Sequence, residues 1–243
     1  MAAPIIPYVT PTPLSPALAS LPGGEFLMGN DNGRPDERPA HRVRLAPFRA
    51  AVRPVTNAEY ARFVAATGAA AAPFLHDERF TASEQPVVGI SWHDAVAFCE
   101  WLAGQSGVPF RLPTEAEREY AARGGFEGRE WPWPGAESSG HPAFDALATL
   151  SRPHEPTEAC ANGSGLRCMA ENVHEWCADW YAAAYYAESP QEAPAGPPTG
   201  TRKASRGGAW RHSHKFTRVA ARSAIDPSFH YSDYGFRVYA SGG

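Results

Sequence analysis

Three stretches of the chain place apolar residues at helical spacing directly after a capping signal. Thr56, Ser91 and Thr114 are each followed three residues later by a carboxylate, and such a pair caps the first turn of a helix. The apolar positions behind these caps recur every three or four residues: Tyr60, Phe63 and Val64; Trp92, Ala95, Val96, Cys99 and Leu102; Ala116, Tyr120 and Ala121. Glycines suited to ending a helix follow at Gly68, Gly104 and Gly124. The pattern predicts three helices, with Cys99 on the buried face of the second.

Short alternating stretches predict strands before and after these helices, at residues 26–29, 41–45 and 235–239. Residues 125–171 and 187–204 instead show little periodicity and many turn-forming residues. Loops of that length in a compact domain are usually functional or are held by an external group such as a metal ion. We therefore expect an α+β fold with small sheets, a few helices and long ordered loops.

Length and composition predict a single domain. No shift in composition divides the 243 residues, so residues 22–243 are expected to fold together. Residues 1–21 contain five prolines and no Lys or Arg, which predicts an extended lead-in over the surface and argues against a secretory signal. We expect a cytoplasmic protein. A net charge of -4 gives no reason to expect nucleic acid as a partner, and no apolar run is long enough to span a membrane. The sequence does not indicate the oligomeric state.

Three of the four cysteines lie close together in the sequence. Cys160, Cys168 and Cys177 match no zinc pattern, because no two of them are separated by only two residues. A Cys160–Cys168 link and a Cys168–Cys177 link are both compatible with the spacing, so the disulfide state stays open.

A polar, irregular segment near the C-terminus concentrates groups that can ligate, stack or hydrogen-bond. Residues 206–214 are Arg-Gly-Gly-Ala-Trp-Arg-His-Ser-His, with Arg-Ser at 222–223 and Gly-Phe-Arg at 235–237. A glycine pair lets the backbone turn or approach another segment closely. We therefore predict that this segment forms the wall of a site.

Six ordered blocks of sequence resemble the formylglycine-generating enzyme (sulfatase-modifying factor) superfamily. They are Gly-Gly-Glu-Phe-Leu-Met-Gly at 23–29, Arg-Pro-Val-Thr-Asn-Ala-Glu-Tyr at 53–60, Pro-Val-Val-Gly-Ile-Ser-Trp-His-Asp-Ala at 86–95, Phe-Arg-Leu-Pro-Thr-Glu-Ala-Glu at 110–117, Asn-Val-His-Glu-Trp at 172–176, and the segment from 206 to 237. The resemblance implies that family's variant of the C-type lectin fold, α+β with little regular structure and stabilised by calcium. It leaves the activity open, because one fold hosts several functions. The superfamily holds copper-dependent oxidases that form formylglycine, domains of iron-dependent sulfoxide synthases, pyoverdine-maturation proteins and non-catalytic receptors.

The resemblance places Asn172 and Glu175 at positions of calcium ligands. Amide and carboxylate oxygens on an irregular loop are the hard ligands that calcium prefers. The alternative is that Asn172 caps a turn and Glu175 pairs with an arginine. Glu171 stands where the family usually has glycine, and a second family calcium site has only Asp145 as a counterpart here.

The best-known reaction of the superfamily is not expected of this chain. The oxidases need two cysteines in the C-terminal segment, because thiolates suit Cu(I). His212 stands at the position of the first cysteine, and no cysteine follows Cys177.

His212 and His214 suggest a different metal site. On a strand, residues two apart face the same side, so both imidazoles would share one ion, with a third ligand from His230, Asp226 or Asp233. Two histidines and a carboxylate form the set that holds non-haem iron. We hypothesise that iron or copper bound at His212 and His214 oxidises a peptide or small molecule. The alternative is that these histidines only hydrogen-bond loops.

A ligand-binding cleft is predicted from Trp133, Trp210, Arg222 and Tyr234, through stacking and hydrogen bonding. For Arg222 and Arg237, a buried salt bridge or a bond that holds a loop is expected more than a contact with a substrate. The alternative function is therefore a non-catalytic, calcium-stabilised domain that binds a ligand or protein through loops 208–235.

Overall fold

A computed structural model describes residues 13–133 and 151–242, apart from the side chain of His214. The three predicted helices are present as α1 (Asn57–Thr67), α2 (Trp92–Ser106) and α3 (Glu115–Arg123), and each begins with a complete capping box. α1 and α3 end at the predicted glycines, which adopt the left-handed conformation. α2 continues past Gly104 and ends at Gly107, because Gly107 is the residue that turns left-handed there.

Ten strands in the described residues form three small sheets. They are β1 (Leu18–Leu21), β2 (Gly24–Met28), β3 (His41–Leu45), β4 (Phe48–Ala51), β5 (Phe110–Arg111), β6 (His174–Trp180), β7 (Lys203–Arg206), β8 (Arg222–Ile225), β9 (Tyr234–Gly235) and β10 (Tyr239–Ser241). The strand orders are β1-β4-β10-β5, β2-β3 and β8-β7-β6-β9. All pairs are antiparallel except β6 with β9.

The structure describes residues 13–21 of the predicted lead-in, where β1 pairs with β4 and Leu14 packs in the core. The strand predicted over residues 235–239 is divided, because β9 pairs with β6 whereas β10 pairs with β4 and β5. This short segment therefore joins two sheets instead of extending one.

The core lies between helices α1 and α2 and the first sheet. Phe63, Phe98 and Phe236 are at most 3% exposed there, and Cys99 packs beside them as predicted. Within the described residues, no helix combines the length and apolar character needed to cross a membrane.

The third sheet positions the candidate site at one of its ends. Arg206, the last residue of β7, pairs with Glu175 near the start of β6 and with Arg222 at the start of β8. His174 pairs with Tyr234 at the start of β9. The connection 207–221 therefore begins and ends at this edge, where β6, β8 and β9 all begin.

Candidate functional site

The glycine pair brings the 207–221 connection close to the protein body. Gly207 has a φ of +79°, a left-handed conformation that side chains rarely adopt. A Cβ on Gly208 would collide with Thr217 and would lie 2.5 Å from the carbonyl oxygen of Ala170. The amide of Gly208 donates to that same carbonyl. The second glycine thus allows backbone-to-backbone approach beneath the site.

Gly208→Ala is expected to destabilise the protein by about 1–3 kcal/mol, because the new methyl group must displace Thr217 or the 170 carbonyl. Gly104→Ala is the matched control, since its Cβ would meet no atom and alanine favours a helix. Urea unfolding measures both variants. Equal stability of Gly208→Ala and the parent would show that the loop rearranges freely.

Two imidazoles and one carboxylate converge at this end of the sheet. One potential ligand atom from each of His174, His212 and Asp233 lies within 4.8 Å of the other two. The Nε2 atom of His212 is 3.4 Å from an oxygen of Asp233. The ring centroids of His174 and His212 are 4.8 Å apart. The backbone amide of His174 donates to the carbonyl of Asp233, which fixes the start of β6 against β9.

The cluster favours neutral imidazoles, the form that binds metals. Burial, followed by the nearby His212, lowers the pKa of His174 to about 3. Burial also lowers the pKa of His212, although Asp233 opposes that shift. Nδ1 of each ring is buried and has no hydrogen-bond partner within residues 13–133 and 151–242. Asp233 accepts two bonds from the half-exposed Arg211, which leaves lone pairs on its carboxylate for another partner.

His174 and His212 also line a cavity of about 370 Å³. Its other walls come from Arg34, Tyr181, Arg202, Gly207, Phe216, Ala221, Arg222, Ser223 and Ala224. Arg34 pairs with Asp36, and Arg222 pairs with Glu115. Arg202 has no ion-pair partner among the described residues. The cavity therefore presents positive charge next to the histidine pair.

A buried ion network supports the cavity floor. Glu115, the first residue of α3, accepts bonds from Arg222 at 2.7 and 2.8 Å and from Arg206 at 2.9 Å. Burial opposes ionisation of Glu115, but the two guanidinium groups outweigh it and lower its pKa. Arg206 also pairs with Glu119 at 2.9 Å, so α3 is tied to both β7 and β8.

The structure does not place His214 beside His212 as the sequence predicts. His214 begins a 3₁₀ turn (His214–Phe216), so the strand geometry that would align it with His212 is absent, and its side chain lies outside the described part. His230 is half-exposed and bonds the carbonyl of Gly89 through Nδ1, so it is not in the cluster. Asp226 instead caps the turn at Ser228. Of the proposed third ligands, the structure brings only Asp233 to His212.

The predicted ligand-binding residues divide into two groups. Arg222 lines the cavity and also forms the buried ion pair expected of it. Tyr234 packs against His174 with ring centroids 4.8 Å apart. Trp210 and Trp133 instead pack in an apolar cluster beside Cys160 and Cys168, away from the cavity walls.

Glu175 lies between two arginines. Its carboxylate accepts bonds from Arg118 at 2.7 Å and from Arg237 at 2.8 Å, and all three side chains are buried. Asn172 bonds the backbone of His154 through both its amide oxygen and its amide nitrogen. Neutralisation of Glu175 by two guanidinium groups does not favour calcium on that carboxylate. Calcium at Asn172 and Glu175 stays a prediction, and Asp145 lies outside the described residues.

His174 is the site residue that the sequence analysis missed. Its one sequence signal is its position in the Asn-Val-His-Glu-Trp block, in which the resemblance implies roles only for Asn172 and Glu175. Only the parallel pairing of β6 with β9 shows that its ring meets Asp233.

The fold agrees with the comparisons to known proteins. The chain belongs to the formylglycine-generating enzyme and sulfatase-modifying factor family, because residues 8–241 match the family described as "Sulfatase-modifying factor enzyme 1-like domain". The fold predicted from the resemblance is confirmed. PvdO from Pseudomonas aeruginosa has a solved structure that aligns with a TM-score of 0.82 at 28% identity, covering 93% of this chain and 95% of that one.

Relatives within the family carry different names. The formylglycine-generating enzyme of Streptomyces coelicolor is 36% identical over 278 residues, covering 89% of this chain and 87% of the relative. Serine/threonine-protein kinase pkn1 of Chlamydia pneumoniae is 35% identical over 247 residues, covering 93% of this chain but 38% of the kinase. Family membership therefore establishes the fold and leaves the specific activity to the site.

Proposed function

We propose that this protein is a metal-dependent oxidoreductase whose metal is held by His174, His212 and Asp233. The observation that carries the proposal is the convergence of these three potential ligands. Two of them, His174 and His212, line the 370 Å³ cavity. Two imidazoles and one carboxylate form a facial set that leaves positions open on an octahedral ion. The buried Glu115 network supports the cavity, and arginines give its walls positive charge.

The donor set favours iron over copper. Cu(I) is best held by soft thiolates, and the cluster contains none, whereas iron(II) accepts the mixed nitrogen and oxygen set. When bound, iron supplies redox chemistry with dioxygen as the electron acceptor. Asp233 is buried and fixed by Arg211, and His174 is fixed by the β6–β9 pairing, so the ligands are held before a metal enters.

The cavity favours a substrate that carries a carboxylate or another anionic group. Arg202 lacks an ion pair among the described residues, and Arg34 is engaged only with the neighbouring Asp36. A guanidinium group binds a carboxylate through two parallel hydrogen bonds, which also orients it. Phe216 also lines the cavity and gives it an apolar surface. A volume of about 370 Å³ admits a small molecule or a short part of a peptide.

Anaerobic reconstitution with iron(II) and elemental analysis test this function. We expect one iron per chain, and a new electron paramagnetic resonance signal when nitric oxide is added, because iron(II) alone gives no conventional signal. His174→Ala with His212→Ala should abolish uptake, because two of three ligands are lost. His230→Ala is the control and should bind iron normally, since this exposed histidine lies outside the cluster. A folded parent protein that takes up neither iron nor copper would overturn the proposal.

The same elemental analysis addresses the alternative, a calcium-stabilised binding domain without chemistry. One observation favours that alternative: Phe229 and Tyr231 are 46% and 41% exposed and stack edge to face at 5.7 Å within loops 208–235. Such a pair is typical of a recognition surface. Calcium retained without any transition metal would support the binding domain and the prediction at Asn172 and Glu175.

A further inference from the structure

A second group of potential ligands lies apart from the cavity, between the apolar cluster of Trp131 and Trp133 and the start of β6. One ligand atom from each of His154, Cys168 and Glu171 lies within 4.8 Å of the other two. The thiol of Cys160 is 2.9 Å from that of Cys168. All four described cysteines are free, and both of these are buried.

The backbone holds this group in place. A short hairpin brings Cys160 and Cys168 together: the amide of Cys168 donates to the carbonyl of Cys160, and the bridge between Ala161 and Arg167 closes the turn. Cys168 has a φ of +57°, an unusual conformation for a residue with a side chain. Asn172 fixes His154 from the other side through two backbone bonds. Four donors are thus presented by segments that tertiary contacts hold together.

Two buried polar atoms in this group have no partner within the described residues. They are Nε2 of His154 and Oε1 of Glu171, whose side chain is fully buried. An unsatisfied buried polar group costs about 1–3 kcal/mol, so such a pair needs an explanation. A disulfide between the cysteines would consume both thiols and still leave Nε2 and Oε1 without a partner. A metal ion bound by His154, Cys168 and Glu171 would satisfy both atoms. Cys160 lies outside that group of three, but its thiol is beside that of Cys168 and would supply the fourth ligand.

We infer that Cys160, Cys168, His154 and Glu171 form a zinc site, distinct from the site around His212. Two thiolates, one imidazole and one carboxylate are ligands that zinc accepts, and four of them complete a closed, structural tetrahedron. Zinc–sulfur bonds near 2.3 Å place the two sulfur atoms about 3.8 Å apart. Binding therefore requires the thiols to separate by about 1 Å from the observed 2.9 Å. No open position remains for a substrate.

The proposed zinc site adjoins the segment that supports the cavity site. The segment from Cys168 to His174 carries ligands of both groups, and the backbones at Ala170 and Asn172 accept bonds from Gly208 and Trp210. A zinc ion at one end of this segment would hold the support on which His174 and the 207–221 connection rest. Because zinc binds the folded state, it should raise the melting temperature of the full chain.

Cobalt(II) and zinc titrations of the reduced, metal-free full chain test the inference. We expect one equivalent of cobalt to produce a thiolate charge-transfer absorption, and one equivalent of zinc to remove it. His154→Ala should weaken zinc binding at least about tenfold and still fold, because its backbone bonds to Asn172 remain. Cys168→Ser should reduce the charge-transfer band by at least about half, because one of the two thiolates is lost. Cys99→Ser is the matched control, since Cys99 is a buried cysteine in the helical core.

Two results would overturn the inference: no charge-transfer band in a folded, reduced protein, or a band that His154→Ala and Glu171→Gln leave unchanged. A Cys160–Cys168 disulfide that reforms in preference to zinc uptake counts against it as well. The two proposed sites can fail separately. His174→Ala with His212→Ala should leave the cobalt band intact, and His154→Ala should leave iron uptake at the cavity intact.

Discussion

Replacing Glu115 by alanine is expected to lower the free energy of unfolding by about 3–5 kcal/mol. The Glu115 carboxylate is fully buried and is shared by Arg206 and Arg222, which are themselves 1% and 2% exposed. Its removal leaves two guanidinium groups buried with incomplete compensation, and Arg222 loses its ion pair. Because burial prevents water from replacing the carboxylate, the loss exceeds that of any surface pair.

Urea unfolding measures the loss in free energy of unfolding, with Glu158→Ala as the control. Glu158 pairs with Arg167, but its side chain is 89% exposed, so its loss should change stability by less than about 0.5 kcal/mol. Folded Glu115→Ala should take up iron normally, since Glu115 touches neither His174 nor His212. A Glu115→Ala loss equal to that of Glu158→Ala would show that water or rearranged side chains replace the network.

The helices could be predicted from sequence because their determinants are local. Each capping box joins residues only three positions apart, and Gly68 and Gly124 ended the helices where the pattern indicated. The residue at which α2 ends could not be predicted from local sequence in the same way. Gly104 and Gly107 are both suitable stops in isolation, and the choice between them depends on where the following residues enter β5.

The candidate site could be predicted only in part, because its residues are brought together by strand pairing. His212 and Asp233 were singled out from their positions in the C-terminal segment. His174 is 38 positions before His212 in the sequence, and it reaches the site through the parallel pairing of β6 with β9. The assumption that residues 212 and 214 lie on a strand was wrong because the connection after β7 forms turns, starting at the glycine pair.

The burial of the α3 carboxylates could not be predicted from the sequence pattern. Glu115, Glu117 and Glu119 lie in the first half of α3 and have the composition of a solvated helix face, yet each is at most 8% exposed. Glu115 and Glu119 pair with arginines of β7 and β8, which are distant in the sequence. Glu117 pairs with the nearby Arg111, and Glu119 also pairs with Arg123 one helical turn later. A periodicity argument assigns carboxylates to the surface, and only tertiary pairing reverses that assignment.

One buried carboxyl in the same region should make the stability of the protein depend on pH. Asp179, near the end of β6, accepts a bond of 2.8 Å from the amide of Glu115 and is 3% exposed. Burial, followed by the charge of Glu115, raises the pKa of Asp179 to about 8, and Glu117 adds to the shift. The ammonium group of Lys203 donates a bond to the carbonyl of Ala178. The native protein therefore keeps a proton on Asp179 at neutral pH, whereas the unfolded chain does not.

Asp179→Asn is consequently expected to gain stability relative to the parent as the pH rises from 5 to 7. In this window Asp179 carries a proton in the native parent but not in the unfolded chain, so the contribution of Asp179 to the free energy of unfolding falls by up to about 1.4 kcal/mol per pH unit. Asparagine cannot ionise, and its amide oxygen can still accept the bond from the Glu115 amide. Burial also raises the pKa of Glu171 to about 8, but that group is present in both proteins and cancels in the difference. Urea unfolding at pH 5, 6 and 7 measures the difference, with Asp226→Asn as an exposed control whose difference from the parent should stay constant. Parallel pH profiles for Asp179→Asn and the parent would mean that Asp179 is already ionised in the folded protein.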